Sequence, residues 1–224
     1  MKKEKRQALP SRRKRTLRRI LVAAAALFLV NRIFLMSLLF PIQAIRQNEE
    51  REGTGRTAVV RRERAPEIHK SHLIYLTENE NVTMLSGAYL THLGWMNAFS
   101  VAVDCTEPGT IHGGWWIITK EEAPTLFYVF GRIDDPNIVR LDILAQYEIW
   151  TLSGIPLRRN AFTWSTSREE WLEKDGRCYF LFRKYPLDES GYSTRLPPVA
   201  VGYDADGKEI ARVELEQGSS SYFG

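Results

Sequence analysis

The 224-residue chain is expected to be mainly β: an N-terminal transmembrane helix, then an antiparallel, immunoglobulin-like sandwich with one short helix. Three observations carry this. A cationic run abuts a long apolar one near the N-terminus. From Ser71 onward, β-branched and aromatic residues gather in short runs divided by Gly, Pro and Asp/Asn clusters. No alternating strand–helix–strand pattern interrupts them, which argues against a parallel α/β sheet.

The basic tail comes first. Residues 1–19 hold ten Lys/Arg against Glu4, a net charge of +9 (10 − 1). Residues 71–224 hold thirteen Lys/Arg and twenty-one Asp/Glu, a net −8 (13 − 21). The pI near 9.1 is therefore a property of the terminus. An acidic domain repels a phosphate backbone, so no nucleic-acid partner is expected of it; only the basic tail suits an anionic partner, lipid ahead of nucleic acid. Cations beside an apolar run mark the cytoplasmic flank of a first membrane segment, and they also attract anionic lipid.

Residues 20–45 follow, interrupted only by Asn31, Arg32, Ser37 and Gln43. A span needs about 20 apolar residues. An export-signal core is shorter, about 7 to 15 residues, and here a second apolar block, IFLMSLLFPI, follows ILVAAAALFLV. The segment is thus read as an uncleaved signal anchor, with Ile42-Gln43-Ala44 a poor cleavage site. Arg32 costs about 2.5–3.5 kcal/mol at a helix centre on insertion scales. Snorkelling offsets that, or a polar partner in another membrane helix does, which makes Asn31 and Arg32 the candidate membrane contacts.

Residues 46–70 carry seven basic and five acidic residues with little apolar periodicity, and are expected to be a flexible polar linker. Such a tether reaches about 25–30 Å. A turn or two of helix over Glu49–Glu52 is compatible with it.

The exported domain is placed at 71–217. Its candidate strands are 72–78, 96–105, 114–120, 125–133, 138–143, 146–152, 178–185, 198–204 and 208–215. FYVFG is apolar on both faces and should be central. Val139, Leu141 and Ile143 should share a buried face opposite Arg140 and Asp142. LSGAYLTHLGW (85–95) is undecided between strand and helix. Ser167 and Glu170 make an S-x-x-E capping box for the one short helix, closed by Gly176. Asp206-Gly207 marks a terminal hairpin. The spacing Asp204-x-Asp206-Gly207 is calcium-like but lacks the downstream Glu. Residues 218–224 read as a disordered tail.

The segments TLFYVFGRIDDPNIVRLDI and VAVGYDADGKEIARVEL resemble the strand pairs of uncharacterised, singly membrane-anchored extracytoplasmic β-sandwich proteins of Gram-positive spore-forming bacteria. That resemblance covers about a quarter of the chain. It implies an exported module and transfers no catalytic residues.

Chemistry-bearing residues are sparse. Cys105 and Cys178 lie in the exported part, where a disulfide persists, and a bridge would stabilise by about 4 kcal/mol. The alternative for Cys178 is a buried apolar role beside Phe180 and Phe182. A Cys nucleophile with His92 or His112 as base has no local signature. His69, His72, His92 and His112 lack zinc spacing, and Asp134-Asp135 before Pro136 reads as turn chemistry. Trp115 and Trp116 point to opposite strand faces, so one of them is a candidate ligand or partner surface. With 22 aromatics in 154 residues from Ser71, most must fill a core. No cofactor or metal is expected. The leading expectation is a membrane-tethered, non-enzymatic extracytoplasmic module that contacts another membrane or extracytoplasmic protein. Behind it stand a cell-wall or carbohydrate-binding module using the Trp115–Trp116 strand, and an exported enzyme of unrecognised type.

Overall fold

The computed structural model describes residues 12–30, 38–68, 70–92, 94–120, 123–150, 156–184, 193–217 and 219–220. Two helices precede the sheets: α1 (Arg12–Val30) and α2 (Pro41–Glu52). The strands are β1 (Ala58–Arg64), β2 (Leu73–Glu78), β3 (Val82–Thr91), β4 (Gly94–Asp104), β5 (Ile111–Lys120), β6 (Ala123–Ile133), β7 (Arg140–Trp150) and β8 (Pro156–Ser167). They continue as β9 (Leu172–Lys174), β10 (Arg177–Lys184), β11 (Ser193–Arg195), β12 (Val199–Tyr203), β13 (Glu209–Glu214), β14 (Glu216–Gln217) and β15 (Ser219–Ser220).

The strands form three sheets where an immunoglobulin-like layout expects two. Their orders are β1-β2-β3-β4-β15, β14-β5-β6-β10-β9, and β11-β7-β12-β13 with β8 paired to β7. All pairings are antiparallel except β14 on β5. The alternation of β6 shows how the layers stack. Phe127, Val129 and Ile133 enter one core with Leu141, Ile143 and Ala200 of the third sheet. Leu126, Tyr128 and Phe130 enter the other with Leu76, Leu85, Phe99 and Val101 of the first. The second sheet is therefore the middle layer, and FYVFG is central because both of its faces are covered. Of the expected β7 face, Leu141 and Ile143 are buried in the core, while Arg140 and Asp142 pair on the other face at 3.6 Å.

Inside that middle layer the backbone approaches very closely. Gly113 and Gly131 pair across β5 and β6, and the Phe180 ring lies over them. A Cβ on Gly131 would fall 2.2 Å from the His112 carbonyl oxygen and 2.6 Å from Phe180 Cζ. Only a residue without a side chain fits.

The expected linker is ordered. α2 buries Ala44, Ile45, Asn48 and Glu49, at helical spacing, against the outer face of the first sheet. Ile45 packs with Tyr75 and Met84, and Ala44 with Leu38 and Ala88. β1 pairs with β2 from Ala58↔Glu78 to Arg64↔Leu73. Backbone ladder bonds hold this edge strand, so its side chains need no apolar alternation and the sequence gives no period-2 signal.

The expected 20–45 span is also revised. Leu38 forms an isolated bridge to Trp95, and residues 41–45 open a helix of the folded domain. The first half of α1 is cationic. Among the described residues, no helix is long and apolar enough to cross a membrane.

Smaller expectations resolve locally. Residues 85–95 are strand, forming the β3–β4 hairpin. The two candidates 138–143 and 146–152 belong to a single strand, β7, and β8 is one that sequence patterning did not mark. The short helix shrinks to a 3-10 turn, Arg168–Glu170, in which the Ser167 N–H donates to Glu170 Oε2 at 3.1 Å. Gly176, at φ +76°, serves the β9–β10 turn and not a helix end. The Asp206-Gly207 hairpin forms as expected between β12 and β13. Its tail does not end there: β14 and β15 pair with β5 and β4, joining the middle sheet to the first.

Candidate functional site

The residues singled out from sequence are scattered. Asn31 and Arg32 lie outside the described residues. Trp115 is 5% exposed and packs against Phe127 with ring centroids 5.9 Å apart. Trp116 is half-buried against the opposite core. The strand lies in the middle layer, so Trp115 fills a core as most of the aromatics were expected to, and only part of Trp116 reaches the surface.

Cys105 and Cys178 are buried free thiols. Cys178 pairs with Ile133 and faces the core shared with the third sheet. The Cys105 Sγ lies 3.6 Å from Thr83 Oγ1, on the first sheet. The middle sheet separates the two sulfurs, so the possible bridge is not formed and Cys178 takes the alternative, buried apolar role. Burial pushes the Cys105 thiol up from its ordinary value, so it stays protonated and is a poor nucleophile. His112 Nε2 lies 3.3 Å from Asp134 Oδ2, and His92 is exposed in the turn after β3.

Asp134 is part of an internal network. Buried Arg132 donates to Asp134 Oδ2 at 2.7 Å, to the Glu80 carbonyl at 3.1 Å and to the Cys105 carbonyl at 3.3 Å. Burial disfavours the guanidinium charge most strongly, but the Asp134 hydrogen bond and the surrounding negative groups together outweigh it and hold the Arg132 pKa above its ordinary value. The network ties β6 to the loops after β2 and β4 and leaves Asp134 committed. Likewise, Asp204 Oδ1 accepts from the backbone of Asp206 and Lys208 at 3.0 and 2.9 Å, so the calcium-like spacing serves a turn. Among the described residues no group of three His, Cys, Asp or Glu is placed to hold a metal.

A second network fixes α2. Buried Glu49 accepts from Arg46, from the Thr57 hydroxyl and from the Thr57 N–H, the last at 2.9 Å. Burial raises its pKa, but these donors outweigh that and hold the carboxyl below its ordinary value. Asn48 Nδ2 donates to the Phe99 carbonyl at 3.3 Å, and Arg51 donates to Ser100 Oγ at 2.8 Å.

Two surface loci remain. The first is a cleft of about 260 Å³ where the edges of all three sheets meet: β1 supplies Arg61 and Glu63, β8 supplies Trp164 and Thr166, and Glu170 and Trp171 precede β9. Trp164 stacks on Phe182 at 4.4 Å and is half-buried. Trp171 is 9% exposed, and its buried indole N–H finds no acceptor among the described residues. Thr166 and the Ser167 N–H both donate to Glu170 Oε2.

The second locus is the foot of the domain, where the chain arrives from α1. Leu38 and Trp95 exchange backbone hydrogen bonds of 2.9 and 2.7 Å. Leu39 and Phe40 project outward, 55% and 61% exposed, and Leu90 nearby in the β3–β4 hairpin is 43% exposed. Beside them, a cleft runs between Pro41, Trp95 and the cations Arg62, Arg64 and Lys70.

The sequence reading missed both loci. Trp164 and Trp171 flank the capping box, yet nothing local shows that three sheet edges converge there. Arg62 and Arg64 sit in RRER, and only the pairing of β1 with β2 shows that both share one face. No protein-family model matches the chain, and a comparison with curated proteins finds no match.

Proposed function

We propose that the chain is a single-pass membrane protein whose β domain is a non-catalytic, extracytoplasmic protein-interaction module held at the membrane surface. One observation carries the anchor. From Ile20 to Val30, α1 presents an apolar run that no other described residue covers: Leu21, Val22, Leu27 and Leu29 are 56–71% exposed. Apolar surface on that scale needs a non-aqueous partner. The anchor begins at Ile20 and ends before Leu38, where the domain starts, and the cationic residues 12–19 place its N-terminus in the cytoplasm. Because the linker is folded, the domain rides on the bilayer and not on a long tether. Asn31 and Arg32 are the residues we assign to a second membrane helix.

For the extracytoplasmic partner we assign the three-edge cleft. The half-buried Trp164 offers an aromatic wall beside the charged Arg61, Glu63 and Glu170, a combination that suits a partner's peptide segment. The carbohydrate reading now attaches to the same cleft, because an indole face beside Glu63, Glu170 and Arg61 also suits a sugar ring. Retention of the chain in membranes through alkaline carbonate extraction tests the anchor, and complete release would overturn it. In-cell photocrosslinking from Arg61, an exposed residue that lines the cleft, tests it. A protein adduct lost in Trp164→Ala supports the interaction module. Retention on insoluble wall polymer, lost in the same variant, supports the sugar reading in its place.

A further inference from the structure

We infer that the cleft at the foot of the domain binds the phosphate of an anionic phospholipid. The inference rests on the membrane reading above and adds a lipid class and a site to it. Arg62 and Arg64 alternate along β1, opposite Tyr75 and Leu73, and so project to the outer face of the first sheet that α2 covers. Lys70, on the turn before β2, lines the same cleft, which opens against Pro41 and Trp95.

The charge is unbalanced. Glu63 lines the cleft too, but its carboxylate is 3.2 Å from Arg61. No carboxylate among the described residues pairs with Arg64 or Lys70. Arg62 reaches the buried Tyr75 hydroxyl, which holds its stem against the sheet. Three cations therefore converge on a site whose wall carries one acid already shared. Arg and Lys together match the multiple acceptors of a phosphate diester.

Position decides between a free anion and a lipid. The cleft begins at Pro41, three residues after Leu38 is pinned to Trp95. Along the chain the exposed Leu39 and Phe40 stand between the apolar helix and Pro41 of the cleft, which suits acyl chains beside a phosphate held among the cations. The half-buried Trp95 stands at the boundary, as interfacial indoles do. A headgroup bound here would fix the orientation of the domain on the bilayer.

The test uses the full chain in nanodiscs of phosphatidylcholine with a minor fraction of phosphatidylglycerol. Lipid that co-purifies after detergent exchange is quantified by mass spectrometry. The native chain is expected to enrich phosphatidylglycerol over its bulk fraction. Each cation near an anionic surface is worth about a five-fold change in binding, so R64A/K70A should lose the enrichment by roughly 25-fold. Because both side chains are exposed, the variant should keep its fold, and circular dichroism checks this. Equal phosphatidylglycerol recovery from both proteins overturns the proposal. So does displacement of the lipid by millimolar inorganic phosphate, which marks a plain anion site. Carbonate extraction of the same samples separates the two readings: release of every variant defeats the anchor, whereas retention with equal recovery defeats only the cleft.

Discussion

Replacing Ile45 with Ala tests whether residues 41–45 belong to the folded domain or to a membrane span. Ile45 is fully buried, and its side chain lies between Tyr75 and Met84 on the outer face of the first sheet. The substitution removes three carbons, about 2.4 kcal/mol of transfer free energy at roughly 0.8 kcal/mol each. A residual cavity adds to this, and measured Ile-to-Ala losses at buried sites run about 2–5 kcal/mol. Taking about 3 kcal/mol, and about 2–4 °C per kcal/mol for a domain of this size, Tm should fall by roughly 6–12 °C. Thermal unfolding of the full chain in mild detergent, followed by tryptophan fluorescence, reads the shift. Phe40→Ala is the control: Phe40 is 61% exposed, and its loss should leave Tm nearly unchanged. If Ile45→Ala unfolds within about 1 °C of the native chain, or Phe40→Ala costs as much, α2 does not pack as described.

Three further outcomes follow from the interior. Gly131→Ala should cost more than about 3 kcal/mol or prevent folding, because the new Cβ meets backbone at 2.2 Å, and a soluble variant with native Tm would contradict the close approach. Glu49→Gln should cost about 1–3 kcal/mol at neutral pH. Since the folded pKa of Glu49 lies below its ordinary value, its contribution is complete above the unfolded pKa and is lost as pH falls through the folded one. The native chain should therefore lose stability between roughly pH 5 and 3 more steeply than the Gln variant; parallel urea midpoints across that window would refute the assignment. Cys105 and Cys178 should both react with a thiol-alkylating reagent after unfolding without reductant, and mobility should be the same on reducing and non-reducing gels; a reductant-dependent shift would restore the bridge.

How much was legible in the sequence depends on where the deciding contacts lie. FYVFG announces a central strand because two covered faces require apolar residues at every position. Asp206-Gly207 announces a hairpin because the turn's φ of +77° is a local demand. β1 was hidden because an edge strand of AVVRRER is held by ladder bonds to β2, which leave no periodicity. α2 was hidden because its buried carboxylate and amide, Glu49 and Asn48, look like linker polarity until Thr57 and Phe99 arrive to satisfy them. The exposure of Trp115 and Trp116 was left open for the reverse reason: it depends on whether a third sheet covers the strand, and no residue in HGGWWIITK reports that.

The sequence by itself determined that this protein is β-rich, that its charge is segregated, and that its only strongly apolar run follows a cationic tail. Those properties are written in local composition and in side-chain periodicity. The tertiary structure alone decided that three sheets stack instead of two, that the middle sheet parts the cysteines, and that the supposed tether is a helix and a strand. Each of these depends on which faces meet across long separations in the chain, and burial against a distant partner leaves no mark on the residues nearby.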